Sequence, residues 1–559
     1  MKKWILLQLI LIINISPILT AQSIVNSKHN LSISSRSIVK STNESEICIF
    51  CHTPHKSNPA SPLWNRNNPG SVYTLYNSAT LQALTGQPDG SSILCLSCHD
   101  GSIALGNVIS RTKVIDFETG NYMPKGNSNL TRNLKNDHPI SFVYNSAIAL
   151  SDGQLKDPAS ITAPISLERG KVQCTSCHDP HKNLYSDFLL VPQQNSNLCN
   201  SCHQRTYWTG SSHSTSNHLW NGVFPNPWPF ADQSMITVAQ NGCESCHNSH
   251  NSKGNLMLLK YQEEENNCLD CHNGNVASKN ISAQFAKTYK HNIKGFINIH
   301  EANESALVTN MHVECIDCHN PHASKNQTAK APFVTGFLVG VKGINQNGIA
   351  VNPATNSFEI CYRCHAGSPG APASSTLRQI DQNNVRLEFA PNNPSSHSIT
   401  AVGVNSNVPS LIAPWTTISL MYCTDCHSSD GTESPVGPHG SIYPHILKLQ
   451  YLTADNTVES TTACALCYSC HSRTSIMADN SFKGHSKHLA SRTSCNVCHD
   501  PHGISSTQGN STNNSNLINF ATSVVSNSSS GIRRFDDLGL FHGRCYLTCH
   551  GVNHNPFTY

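Results

Sequence analysis

Cysteine and histidine carry the chemistry of this chain. Cys48 and Cys51 stand before His52, Cys95 and Cys98 before His99, Cys174 and Cys177 before His178, and Cys199 and Cys202 before His203. The same Cys-x-x-Cys-His spacing recurs at Cys243, Cys246 and His247, at Cys268, Cys271 and His272, at Cys315, Cys318 and His319, and at Cys361, Cys364 and His365. Three further copies follow at Cys423, Cys426 and His427, at Cys467, Cys470 and His471, and at Cys495, Cys498 and His499. A twelfth site, Cys545, Cys549 and His550, has one extra residue between its cysteines. These sites use 24 of the 25 cysteines and leave Cys464 over.

Cysteines three apart lie on one face of a helical turn, where each thiol can form a thioether with a vinyl group of the same haem. The next residue then presents its imidazole to the iron. Zinc knuckles and exported disulfides also use paired cysteines, but neither requires a histidine after every second one. The spacing therefore reads as covalent haem c attachment, eleven times in the regular form and once with a longer loop. Cys464 is followed three residues later by Cys467 but then by Tyr468, and reads as a free or intermolecularly paired thiol.

The elements that must position these groups are constrained by composition. Charged residues are 13% of the 559, about half the usual share, and the apolar set is 38%. A chain so poor in core formers needs another source of buried apolar surface, and twelve porphyrins at roughly 45 residues each would supply it. The predicted fold is a haem-organised multihaem cytochrome c with little secondary structure, short helices at the attachment sites and long loops elsewhere. Segments 105–165, 325–355, 370–420 and 505–540, rich in Ser, Asn, Gly and Pro, should be those loops. Glu263, Glu264 and Glu265 read as a solvated face. No Lys/Arg run supports nucleic-acid binding. Formal charge is +3, but propionates would carry the mature protein to roughly −11 oxidised and −23 reduced.

Residues 1–21 have the form of an export signal, with Lys2 and Lys3 before an apolar stretch and Ala21 before Gln22. No later apolar run approaches a membrane span. The remainder divides into six two-haem units at 22–125, 126–235, 236–285, 286–380, 381–480 and 481–559. In five of them the first attachment motif continues into a second histidine three residues on: His55, His181, His250, His322 and His502.

The string resembles the doubled-CxxCH multihaem c-type cytochromes over most of its length. The likeness is carried by Lys28-His29-Asn30-Leu31, by Cys48-Ile49-Phe50-Cys51-His52-Thr53-Pro54-His55, by Cys95-Leu96-Ser97-Cys98-His99-Asp100-Gly101, by the other CHxPH runs and by Leu547-Thr548-Cys549-His550-Gly551. It implies that the second histidine of CHxPH is the sixth ligand of a neighbouring haem, and that the chain carries electrons, in some relatives as a secreted carrier and in others as a filament.

Nineteen histidines remain for twelve sixth positions. One assignment gives each pair an upstream histidine, His29, His138, His218, His312 (or His300), His397 and His488 (or His485), and one after the first motif, His55, His181, His250, His322, His439 and His502. His439 replaces the missing second histidine after His427, with His445 as the substitute for it. His213, His291, His542 and His554 are left unassigned. Histidine on both faces closes the iron to substrates, which favours an electron-transfer protein without turnover. The competing readings are a multihaem oxidoreductase with one open haem, though no Cys-x-x-Cys-Lys occurs, and a periplasmic electron reservoir. Expected partners are other redox proteins, extracellular acceptors or further copies in a filament, with no nucleic acid and no membrane span. The expected location is the periplasm, the outer surface or the medium.

Overall fold

The computed structural model describes residues 24–228, 235–254, 257–294, 312–368 and 374–559. The export signal at 1–21 and His300 lie outside these residues. The chain gathers into two compact units, one holding most residues up to Cys202 and the other most of those from His203 onward.

Local structure follows the attachment motifs. The first motif of a pair makes a single helical turn, as at Cys48–Phe50, Cys174–Ser176, Cys315–Cys318, Cys423–Asp425 and Cys495–Cys498. Each turn closes by a bond from the histidine N–H to the first cysteine carbonyl, 2.8–3.0 Å. It cannot extend in the CHxP runs, because a proline pushes the residue before it out of the helical region. His319, for instance, is already extended at φ −127° and ψ 139°. Three second motifs, which have no such stop, end longer helices: α1 (Gly90–His99), α2 (Glu264–His272) and α3 (Ser357–His365). At the start of α3, Glu359 accepts from the Asn356 N–H at 3.0 Å, satisfying a donor the helix leaves open.

After the first-motif histidine the chain turns back in a repeated device. His178 bridges Leu189, His247 bridges Leu259, His427 bridges Leu447 and His499 bridges Ile518, each antiparallel. Two consecutive left-handed residues precede each return: Asp187 and Phe188, Met257 and Leu258, His445 and Ile446, Asn516 and Leu517, all with φ between 54° and 62°. Such φ values cost energy for residues other than glycine. A ring nitrogen of the attachment histidine uses the carbonyl they aim.

Sheet is confined to short pairs, except in the second unit near the end of the chain. There β1 (Val525–Ser526), β2 (Arg534–Asp537), β3 (Gly543–Cys549) and β4 (Val552–Thr558) form an antiparallel sheet with β3 paired to all three others. The segment 505–540, expected as loop, therefore contributes two strands, which β3 pairs.

The apolar cores are several and small, and they sit against the attachment cysteines. Phe50, Leu105, Val108, Ile115 and Phe117 pack beside Cys51 and Cys98. Ile344, Phe358, Tyr362 and Phe389 pack beside Cys423, and Val497, Phe520, Val525 and Leu547 beside Cys498, Cys545 and Cys549. Loops between them are fixed by polar groups. Arg66, fully buried, donates to the Ser97 carbonyl at 3.0 Å, the Ala104 carbonyl at 2.9 Å, the Leu105 carbonyl and the Ser97 Oγ. Removing those donors leaves buried carbonyls unpaired, each worth about 1–3 kcal/mol. Arg66→Met is expected to destabilise the first unit by about 3 kcal/mol, read as a lowered midpoint in guanidinium unfolding.

Candidate haem-binding site

Eight attachment histidines face other histidines across a nearly constant gap. His52 faces His181 with ring centres 6.0 Å apart, and His99 faces His29 at 6.2 Å. In the second unit His247 faces His322 at 6.3 Å, His272 faces His213 at 6.1 Å, His319 faces His439 at 6.1 Å and His365 faces His291 at 6.3 Å. His427 faces His502 at 6.1 Å, and His499 faces His485 at 6.3 Å. Two metal–imidazole bonds of about 2 Å each, plus the inner half of each ring, fill that distance. A rigid macrocycle with one iron at its centre fits between the rings.

The outer ring nitrogens are also placed. His178, His247, His319, His427 and His499 donate through Nδ1 to the carbonyls of Asp187, Met257, Phe337, His445 and Asn516, at 2.8–3.0 Å. A carbonyl only accepts, so Nδ1 carries the proton and Nε2 is the free donor to metal. The upstream histidines obey a second rule. His29 donates to the Pro180 carbonyl at 3.4 Å, His213 to Pro321 at 2.8 Å, His291 to Pro438 at 2.9 Å and His397 to Pro501. Each of these prolines directly precedes one of the facing histidines His181, His322, His439 and His502. One Pro-His dipeptide thus orients the imidazoles facing two different attachment sites.

Burial keeps the rings neutral. Burial first, and the opposed histidine after it, hold His272, His365, His427 and His485 at about 4 and His439 at about 3. For His471, held at about 4, burial comes first and His397 next. His502 is the exception: Glu388 Oε2 lies 2.9 Å from its Nδ1 and, against the effect of burial, raises its affinity for protons.

The thiols form a row in sequence order. Within pairs, burial and then a neighbouring thiol raise Cys51 (beside Cys98), Cys177 (beside Cys202) and Cys426 (beside Cys470) to about 12. Burial likewise raises Cys271 beside Cys246, Cys318 beside Cys361, and Cys498 beside Cys545 and Cys549. Between pairs the first cysteines touch: Cys95 hydrogen-bonds Cys174, Cys268 bonds Cys315, Cys361 bonds Cys423 and Cys467 bonds Cys495. Inside the first unit this links motifs one to three and reaches the Cys202 thiol of the fourth. In the second unit it links motifs five to twelve.

Two family profiles match parts of the chain. Residues 167–206 match the doubled CXXCH motif, and residues 235–396 match the outer membrane cytochrome MtrC/MtrF-like domains II/IV. The chain is a multihaem c-type cytochrome. It binds haem c covalently and its class transfers electrons. No curated protein matches it.

The cytochrome departs from sequence expectation at particular histidines. His218 is exposed, and His213, five residues earlier, is the ring that faces His272. His291 rather than His312 faces His365, and His485 rather than His488 faces His499. A signal for one of these was present: Lys290-His291-Asn292-Ile293 repeats Lys28-His29-Asn30-Leu31. His55 and His250 are exposed, and His138 places Nδ1 3.0 Å from the Pro139 carbonyl. At the twelfth site the motif runs in β3 instead of a helical turn, because Cys545 and Cys549 are held in register with Phe557 and Val552. His550 sits 2.9 Å from the Asp455 carboxylate, while His488 and His554 face each other at 6.5 Å. Cys464 is buried, and its thiol is hydrogen-bonded with that of Cys495. Glu264 and Glu265 are buried rather than solvated, with Glu264 accepting from the Ile316 N–H at 3.0 Å. Burial first, then Cys315 and Glu314, raise the Glu264 carboxyl to about 9.

Two outcomes follow from this geometry. His213→Gly and His322→Gly are each expected to convert one haem's share of the ferric spectrum from low to high spin, whereas His55→Ala and His218→Ala leave it low-spin, as electron paramagnetic resonance would read. Unfolded imidazoles protonate near about pH 6.5, whereas the folded ones refuse protons down to about 4. The unfolded state therefore binds more protons in that window and stability falls as pH drops through it. Guanidinium midpoints compared at about pH 7 and about pH 5 are expected to show the lower value in acid.

Proposed function

We propose that this cytochrome carries electrons along twelve bis-histidine haems whose order within each compact unit follows their order in the chain. The facing imidazole pairs carry this reading. A ring on each side leaves the iron no vacant position, so it changes oxidation state with little rearrangement. The attachment ligands are His52, His99, His178, His203, His247, His272, His319, His365, His427, His471 and His499. The facing ligands are His181, His29, His322, His213, His439, His291, His502 and His485, with His397 serving His471. At the twelfth haem, His488 and His554 flank the gap beside Cys545 and Cys549. His138 remains the proposed ligand for the pair of haems attached from Cys174 to Cys202.

The thiol row supports a conduit over a reservoir, since consecutive attachments touch without a missing member from the fifth to the twelfth. Among the described residues no helix is long and apolar enough to cross a membrane. With the likeness of residues 235–396 to an outer membrane cytochrome, this supports an exported protein that works at the outer surface or in the medium. Its partners there are redox proteins, extracellular acceptors or further copies assembled into a filament.

The ferric holoprotein is expected to be wholly low-spin and to bind no carbon monoxide when reduced, with an intact mass exceeding the polypeptide by twelve haems. A high-spin fraction in the native protein would favour an oxidoreductase with an open haem. Particles that stay monodisperse in negative stain across concentration and pH would remove the filament.

A further inference from the structure

The histidine facing His427 differs from its counterparts at the other first motifs. Its Nδ1 meets a side-chain carboxylate, Glu388 Oε2 at 2.9 Å, and Glu388 is buried, with 7% of its surface exposed. Among the equivalent rings, His439 has a buried Nδ1 without a hydrogen-bond partner, and exposed His181 has only the Asp179 carboxylate at 3.6 Å. Ring planes vary among these sites: His181, His322 and His439 lie within 16° of the plane of the ring they face, whereas His485 is turned 43° from His499 and His502 51° from His427. Phe389 packs against the His502 ring, centres 5.4 Å apart. The neighbouring acid Asp500 is matched by Arg378 at 3.2 Å, so the bond from His502 falls to Glu388.

We propose that Glu388 is a positioning residue for the haem attached at Cys423 and Cys426: its hydrogen bond fixes the plane of His502 and increases the electron donation of that imidazole, lowering the potential of this one site in the row. A carboxylate on the outer nitrogen makes the ligand more imidazolate-like and favours the ferric ion. The carbonyl bonds to His29, His213, His291 and His397 are uncharged and act more weakly. The row then contains a fixed low-potential step at its ninth member. This inference rests on His502 being an axial ligand.

Glu388→Gln keeps the shape and removes the charge. In spectroelectrochemical titration, one haem's share of the absorbance change is expected to move to higher potential, with the ferric spectrum still wholly low-spin. Glu388→Asp, which keeps the charge, is expected to move it less. In the native protein, near-infrared magnetic circular dichroism should show one haem's share of the low-spin charge-transfer band displaced towards the imidazolate position, a readout that needs no variant to fold. Superimposable titrations of Glu388→Gln and native protein, or a single undisplaced band, would overturn the proposal. High-spin iron in the native protein would instead overturn the bis-histidine reading beneath it.

Discussion

The arrangement of this cytochrome depends on neutral imidazoles held about 6 Å apart, ring centre to ring centre, by contacts far apart in sequence. Five first-motif attachment rings are aimed by a local carbonyl, and four upstream rings by the carbonyl of a distant proline. Because the residue after that proline is itself a facing histidine, the position of one Pro-His dipeptide is felt at two attachment sites. Consecutive pairs in the second unit are thereby tied together by polar contacts, in addition to the apolar cluster that joins Phe358 and Tyr362 to Phe389 beside Cys423.

That coupling explains why the chain tolerates so little regular structure. Its cores are small clusters beside thiols, and its loops are fixed by buried side chains that answer backbone groups, as Arg66 does in the first unit and Arg378 in the second. The left-handed pairs ending at Phe188, Leu258, Ile446 and Leu517 would be costly in an ordinary turn. Here they recur because the carbonyl they turn inward fixes the tautomer of an attachment histidine.

The ninth site shows how the repeat is varied. His427 is followed by Ser428 and Ser429 instead of a CHxPH run, and His439 supplies the missing ring from ten residues further on, facing His319. His427 in turn takes its opposing ring from His502, the one that meets Glu388. A break in the sequence pattern and a change in the ligand's surroundings thus fall at the same haem, although different residues produce them.

The attachment chemistry was legible in the sequence, because two thioethers and a ligand must come from one short run of chain, and so was the scarcity of secondary structure. The opposing histidines were only partly legible. His29, His181, His322, His439 and His502 could be picked out from the sequence, yet nothing local separates His213 from His218, and His291 is marked off from His312 only by its repeat of the Lys28-His29-Asn30-Leu31 run. Nor could burial of Glu264, the bond from Glu388 or the strand at Cys545 be read from their neighbours. Attachment is a covalent requirement written within five or six residues. The ring across the gap is chosen by whichever loop returns there, and only the folded chain decides that.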